Sequence, residues 1–316
     1  DARIENVYQI DQKTLLLRLH QPNQTAIQLL IEAGKRTHLT SYALAKPTQP
    51  PAFSMALRKH LRNGRIQTIE QHEFERTIIL RVSTREGVFQ LVIELFGEGN
   101  TILVNPQGNI TLALSYRRMR DRNILRNEPF RQAPSSSNNP FRISRSQLDH
   151  LRDFGKLETV RALTKFLSIG GQYAEELLLR ANVDKNTACQ SLTEPQLTSI
   201  YTQLQALLSH LTEKKLDPAI VVGEKGDWTD VTPIMLRKYE GLERKPHTTF
   251  SEALDEYYAQ TTQVGKVSAA EKKYEQELAK QQRMLEEQMR TLEESQKALR
   301  ENKVIGDLIY AHFSEL

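Results

Sequence analysis

The residues of this chain best suited to chemistry are basic, and the chemistry they suit is holding phosphate. Residues 55–65 carry Arg58, Lys59, Arg62 and Arg65 and no acid. Residues 115–131 (SYRRMRDRNILRNEPFR) carry Arg117, Arg118, Arg120, Arg122 and two more arginines against Asp121 and Glu128. Such concentrations attract phosphate backbones by releasing condensed counterions. A plainer reading stands beside it, because charge runs usually form a solvated helix face, although such faces tend to mix signs for i,i+4 pairs. Glu75-Arg76 is a third feature. Arg suits planar, bidentate recognition, so Arg76 could stack on or hydrogen-bond a nucleotide while Glu75 accepts from a base edge. The alternative is a solvated or edge-strand pair of little energetic weight. The fourth feature is Gly170-Gly171, a tight turn between two helical stretches that would let backbone N–H groups at a helix N-terminus approach a phosphate. It could equally just close an αα-hairpin. Glu175 and Glu176, expected in the first turn of the second helix, favour that alternative, since they satisfy the helix dipole and repel anions.

No catalytic constellation accompanies these features. The eight histidines make no HExxH or other metal-ligand spacing with acids, and no Gly-x-Ser-x-Gly or Walker lysine motif occurs. Gly97-Glu98-Gly99 is only part of a phosphate loop and lacks its lysine. Cys189 is the sole cysteine, in a helical stretch with no histidine nearby in sequence, so a packing role is expected. The chain reads as a non-enzyme with no catalytic residue, no metal, no cofactor and no small-molecule substrate.

The elements that must position these groups follow from periodicity. Residues 3–10, 14–20 and 25–31 alternate as antiparallel strands, and Gly34 breaks the pattern before residues 36–39. A proline-stiffened loop, residues 46–51, leads to a short helix with Phe53, Leu57 and Leu61 on its apolar stripe. Residues 66–69, 77–82, 88–94 and 110–114 are further strands, with Glu75-Arg76 at the start of the second. The sheet is expected to fold on itself as a sandwich or partial barrel. Residues 132–140 (QAPSSSNNP) read as a mobile loop and a domain boundary. Residues 141–211 read as helical, with Ser146 capping a helix to Phe154 and Pro195 in the first turn of the last helix. Residues 219–222 and 228–231 return to strand character and are expected to rejoin the first sheet, followed by a short helix over 250–260. From 265 onward one helical pattern repeats Leu278, Leu285, Leu292 and Leu299 every seven residues. Tyr274 and Met289 are apolar partners, but Gln282, Gln296 and Lys303 are not, so an antiparallel two-helix hairpin fits better than a strong parallel dimer. Gly306 interrupts the pattern.

The chain has 316 residues, room for more than one domain, with 39% hydrophobic and 26% charged residues. The net charge is +4, while residues 271–300 hold seven acids and seven bases, so the excess sits outside the heptad stretch. No apolar run nears the ~20 residues that span a bilayer, so no membrane association is expected. A single cysteine precludes an intrachain disulfide and fits a reducing, cytoplasmic setting. The absence of an initiator Met and the abrupt helical end are those expected of a fragment.

The stretch from Pro51 to Asn105 resembles the N-terminal domain of the NFACT family of ribosome quality-control factors, whose bacterial members are often called fibronectin-binding proteins. The residues that carry the resemblance are Leu57-Arg58-Lys59-His60-Leu61 with Gly64-Arg65-Ile66, then Phe74-Glu75-Arg76, then Glu94-Leu95-Phe96-Gly97 with Gly99-Asn100-Thr101-Ile102-Leu103. The resemblance covers nearly the whole chain. It implies an α+β fold with three parts. The first is an antiparallel sheet domain similar to the N-terminal domain of formamidopyrimidine-type DNA glycosylases, residues 1–140 and 215–262. The second is a helix–hairpin–helix module, residues 141–214, and the third the start of a coiled-coil arm, residues 263–316. It further implies tRNA, the large ribosomal subunit with its rRNA, and stalled peptidyl-tRNA as partners, with mRNA-independent extension of the stalled chain by the ribosome's own peptidyl transferase. The family's tRNA-recruiting acid–Arg pair falls by motif position on Glu75 and Arg76. The commoner acid there is Asp, so Glu75 departs from the family pattern while Arg76 keeps it. A further family acid lies upstream of Asp1, and a C-terminal RNA-binding domain follows in the family. Two other readings remain open, a DNA glycosylase-like repair protein and a matrix-binding adhesin.

Overall fold

The computed structural model describes residues 2–22, 25–134 and 138–311, which divide into two units, Asp1–Tyr257 and Tyr258–Leu316. The first unit is built on one nine-stranded antiparallel sheet. Its strands are β1 (Ala2–Gln9), β2 (Thr14–His20), β3 (Ile27–Glu32), β4 (Arg36–Leu39), then after helix α1 (Ala52–Leu61) β5 (Arg65–Gln71), β6 (Thr77–Thr84), β7 (Gly87–Glu94), β8 (Asn100–Val104) and β9 (Ile110–Ala113). They lie in the order β4-β3-β2-β1-β5-β6-β7-β8-β9. Alternation sorts their residues to two faces. Ile4, Leu15, Leu17, Ile31, Leu80, Val82, Leu91 and Leu103 share one core, into which α1 inserts Leu57 and Leu61. Strands from both halves of the sheet meet in that core, so the sheet folds over on itself, as expected. The fold is closed where the β3–β4 turn meets the β7–β8 turn: Gly34 N–H donates to Glu94 O at 2.9 Å, and a Cβ on Gly99 would sit 1.9 Å from Gly34 N.

The opposite face of β6–β9 has its own core of Ile79, Val92, Ile102, Val104 and Ile110. It is covered by Ile124 and Phe130, brought there by the small hairpin β10 (Arg117–Arg118) and β11 (Asn123–Ile124) and the chain that follows.

A helical layer follows: a 3₁₀ stretch (Ser146–Phe154), α2 (Thr159–Phe166), α3 (Gly171–Ala181) and α4 (Glu194–Thr212). The Ser146 segment is thus 3₁₀ rather than α. α4 starts as its sequence dictates, with Thr193 and Gln196 forming a capping box and Pro195 in the first turn. The core of this layer gathers Leu148, Leu151, Leu163, Leu177, Leu197 and Leu204, and Phe74 of the β5–β6 turn packs against it. The run 132–140 is anchored at its end: Asn138 N–H donates to Phe166 O at 2.8 Å, while residues 135–137 lie outside the described residues.

One expectation fails here. The later strands do not rejoin the first sheet; β12 (Ala219–Val222), β13 (Trp228–Thr232) and β14 (Glu243–Pro246) form a separate sheet in the order β13-β12-β14. The run 243–246 (ERKP) has no alternation to announce it, and once β14 pairs with β12, the middle strand has both edges filled.

α5 runs from Phe250 to Ala311, continuous through the expected break between 260 and 265 and through Gly306. Within the second unit, Leu278, Leu285, Leu292 and Leu299 are exposed along it, and so is Met289. Tyr274 is among the side chains outside the described ones.

Candidate nucleic-acid interface

The turn between β5 and β6, residues 72–76, is held by its backbone. His72 N–H donates to Thr77 O at 2.9 Å, Glu75 N–H to His72 O at 2.9 Å, and Leu95 N–H to Arg76 O at 2.8 Å. Three of its side chains reach the helical layer. Glu73 accepts from Asn139 Nδ2 at 3.1 Å and pairs with Arg142 at 3.0 Å; the Asn139 hydrogen bond first, then the Arg142 charge, keep its carboxyl below the usual range. Phe74 meets Phe141 edge to face, with ring centroids 5.4 Å apart. Glu75 Oε1 accepts from Ser168 Oγ at 3.0 Å. Arg76 is left exposed, and among the described residues its guanidinium makes no hydrogen bond or ion pair.

The facing wall is the α2–α3 connection. Gly170 is the N-cap of α3, at φ −72°, and no side chain caps that helix. Neither Gly170 nor Gly171 has a positive φ, and a Cβ on either would meet nothing within 4 Å. This chain's own packing therefore does not demand glycine at either position. Glu175 and Glu176 lie in the second turn of α3, not the first. Glu175 pairs with Lys185 at 3.0 Å, and buried Glu176 is bonded to Arg180 Nε and to the N–H groups of Arg237 and Lys238. Both acids lie past the helix start and are engaged elsewhere, which weakens the anion repulsion expected of them.

These walls enclose a cleft of about 660 Å³ that brings Glu75 and Arg76 together with Gly170 and Gly171. Its floor is apolar, made by Leu177, Leu204, Leu208 and Ile234. Tyr173, also on its lining, has its hydroxyl pushed up to about 12 by burial, with Asp230 and Glu176 adding to the shift. The arrangement offers one unpaired guanidinium, an uncapped helix start and an apolar bed. That combination suits a planar group carrying phosphate. Cys189 is buried, and burial raises its thiol. Among the described residues, no three His, Cys, Asp or Glu side chains are grouped to hold a metal.

The other basic candidates do not join this cleft, nor do they form one cradle. α1 packs into the core that contains Leu80, Val82 and Leu91, whereas β10–β11 covers the face that contains Ile79 and Val92. Those are neighbouring residues of the same strands, so the two basic elements flank opposite faces of the sheet. Lys59, Arg62 and Arg65 are exposed. Arg58 is half-buried and structural: its Nε donates to Val7 O at 2.6 Å, and its guanidinium lies 5.2 Å from the Tyr8 ring centre. Arg118 and Arg120 are exposed. Arg117 Nε donates to Ser115 Oγ at 3.0 Å, and its charge helps Lys13 hold the Glu98 carboxyl low. Arg122 is a correction to the sequence reading. It is buried and ion-paired with buried Glu94 at 2.7 Å, because Ile124 beside it folds onto the outer core and carries the hairpin down with it. It is closed to any ligand. Sequence reasoning missed Glu73, Asn139, Arg142 and Ser168, whose pairings span 66 to 93 residues and leave no local pattern.

Comparison with known proteins agrees with this architecture. The model of the NFACT N-terminal and middle domains matches residues 1–316. The archaeal Rqc2 homolog aRqcH of Methanocaldococcus jannaschii is 34% identical over 323 residues, 99% of this chain and 48% of that protein. The human ribosome quality control complex subunit NEMF is 32% identical over 166 residues, 52% of this chain and 14% of its own length. The chain thus spans about half, or less, of these relatives. In fold it is similar to the fibrinogen binding protein from Staphylococcus aureus (TM-score 0.63, 20% identity, 81% of this chain and 92% of that one). It is likewise similar to the N-terminal part of the fibronectin/fibrinogen-binding protein from Streptococcus suis (TM-score 0.61, 21% identity, 82% and 92%). With a family model matched from its first residue to its last, the chain belongs to the NFACT family.

Proposed function

We propose that this chain is the RNA-holding part of a ribosome quality-control factor, and that its Arg76 cleft binds tRNA on an obstructed large ribosomal subunit carrying peptidyl-tRNA. The observation that carries the reading is Arg76 itself. Glu73, Phe74 and Glu75 beside it are tied to the helical layer, while this one guanidinium stays exposed and uncommitted, opposite two glycines that the fold does not require. Arg suits phosphate and base edges. The reading is supported by the relatives' names, which speak of ribosome quality control. In this reading α2–α3 acts as a helix–hairpin–helix, the sheet domain is of the formamidopyrimidine-glycosylase kind, and the exposed leucines of α5 form a coiled-coil seam. The ribosome performs the peptidyl transfer that extends the stalled chain without mRNA; the protein supplies position, in the cytoplasm, and no catalysis.

The test is Arg76→Ala. tRNA recovered with the protein should fall by one to two orders of magnitude, since a bidentate arginine contact is worth about 1–3 kcal/mol. The melting temperature should stay unchanged, because the side chain supports nothing. Undiminished tRNA occupancy in a folded variant would refute the site.

A further inference from the structure

A row of three buried polar residues crosses one end of β6, β7 and β8. Thr77 stands opposite Glu94, and Glu94 opposite Asn100. All three are buried, and each lies two residues from Ile79, Val92 or Ile102, on the same outer face of the sheet. Burying such groups costs free energy unless partners meet them, and two of the three meet the arginine hairpin. Glu94 is ion-paired with Arg122 at 2.7 Å. Asn100 Nδ2 donates to Ser115 O at 2.8 Å, and its Oδ1 accepts from Ser115 N–H at 3.0 Å. Ile124 adds an apolar anchor in the outer core. The hairpin is thus fixed at several points, and the Asn100 and Ile124 anchors do not depend on the ion pair.

The outward side of the hairpin has no such task. Arg118 pairs in register with Asn123, and both are exposed, as are Tyr116, Met119 and Arg120. Met119 N–H donates to Arg122 O at 3.2 Å, which puts Arg120 at the tip. Among the described residues, the guanidinium groups of Arg118 and Arg120 make no hydrogen bond or ion pair. Asp121 is the one acid of residues 117–124, and among the described residues it makes no ion pair either.

The hairpin does not line the cleft, but its anchor adjoins it. Arg76 immediately precedes Thr77, and Leu95 N–H donates to Arg76 O at 2.8 Å. One strand spacing, about 4.8 Å, separates the strand that Arg76 leads into from the residue that holds Arg122. A nucleic-acid strand in a duplex carries a phosphate about every 3.4 Å of its axis, so it offers further charges beside any that Arg76 holds. Exposed arginines next to a tyrosine suit a phosphate backbone with an unstacked base. A bilayer surface calls for a broad apolar face beside the cations, whereas the large apolar groups exposed on residues 115–124 are Tyr116 and Met119.

We infer that the β10–β11 hairpin is a second RNA contact, in which Arg118 and Arg120 take phosphates of the RNA that enters the Arg76 cleft. The inference rests on the RNA reading of the cleft, but it uses different residues and predicts a different signature. Backbone contacts strengthen binding to all sequences alike and set its salt dependence. Asp121, placed among them, repels the same ligand.

The experiment measures binding of a labelled tRNA transcript to the chain at graded salt, for Arg76→Ala, Arg118→Gln/Arg120→Gln and Asp121→Asn. Vesicles of equal parts phosphatidylcholine and phosphatidylserine serve as the competing anionic surface. Melting curves confirm folding, which these exposed side chains do not support. Arg118→Gln/Arg120→Gln should weaken tRNA binding about tenfold at low salt and make the slope of log K against log salt shallower by about one to two. Asp121→Asn should tighten binding at low salt by roughly two- to fivefold, and less as salt rises. An Arg76→Ala defect with parental affinity and slope in both hairpin variants would overturn the second contact and leave the cleft standing. Normal binding by Arg76→Ala with a weakened Arg118→Gln/Arg120→Gln variant would remove the cleft and keep the hairpin. Loss of vesicle binding in that double variant without loss of tRNA binding would overturn RNA as the partner of the hairpin.

Discussion

Ser168 Oγ donates to Glu75 Oε1 across 3.0 Å, joining residues 93 apart in sequence. The bond ties the Arg76 turn to the strand-like step just before Gly170. It gives Glu75 a task different from reading a base edge: its carboxylate braces one wall of the cleft against the other, and Arg76 is aimed by the brace. Ser168→Ala and Glu75→Ala should each cost about 1 kcal/mol of stability, as a hydrogen bond to a partly exposed charge does. In a double-mutant cycle the two losses should not add, leaving a coupling of about 0.5–1 kcal/mol. Glu75→Gln keeps an acceptor and should retain more tRNA affinity than Glu75→Ala. Additive losses would show that the two side chains act separately.

The buried pair Arg122–Glu94 joins the arginine hairpin to the end of β7. Removing either partner leaves a charge stranded in the outer layer, so Arg122→Ala or Glu94→Ala should destabilise by about 3–5 kcal/mol. Chemical denaturation measures this directly. tRNA affinity per folded molecule should stay unchanged, in contrast to Arg76→Ala. A folded, fully stable Arg122→Ala variant with weakened tRNA binding would return Arg122 to the ligand surface.

Closure of the sheet depends on Gly99 more than on its neighbour Gly97. Both have positive φ, +71° and +55°, but a Cβ on Gly99 would lie 1.9 Å from Gly34 N, whereas one on Gly97 meets nothing within 4 Å. Gly97→Ala should cost only the left-handed backbone penalty of about 1 kcal/mol. Gly99→Ala should cost several times more, because the β3–β4 turn must move and the Gly34–Glu94 bond must break. Equal melting temperatures for the two variants would contradict the close approach.

Those predictions also mark what the sequence could tell. Alternation revealed most strands of the large sheet, Pro195 marked the first turn of α4, and Gly170-Gly171 sits at the helix junction where its type suggested. These are local signals: the residues that dictate the element lie within it. What stayed hidden depends on residues far apart. Arg122 looks like its exposed neighbours Arg118 and Arg120, and only the burial of Ile124 on a distant face distinguishes it. The run 243–246 becomes a strand because β12 has an open edge, not because its own residues favour one. The separation of the two basic elements follows from which face of β6 and β7 each covers, and a one-dimensional charge count does not contain that fact.

His38 supplies the pH dependence. It is buried on β4, with Nε2 3.3 Å from Asp255 Oδ1; Asp255 also accepts from Thr40 Oγ1 at 2.6 Å and Ser41 N–H at 2.9 Å. Burial first, and the Arg36 charge second, lower the imidazole below its ordinary value of 6.5, and the opposing pull of Asp255 and Glu32 does not restore it. The folded protein therefore binds this proton less readily than the unfolded chain. Stability is complete above the unfolded value of 6.5 and declines as pH falls from there toward the lower folded value. The first turns of α5 are docked on β4 by this node, so they are the part expected to loosen. Melting temperature should drop as the solution is acidified below neutrality, and hydrogen exchange at residues 250–257 should rise with it. His38→Gln removes the titrating group, and its melting temperature should depend less steeply on pH over the same interval. A variant curve parallel to that of the parent protein would place the acid sensitivity elsewhere.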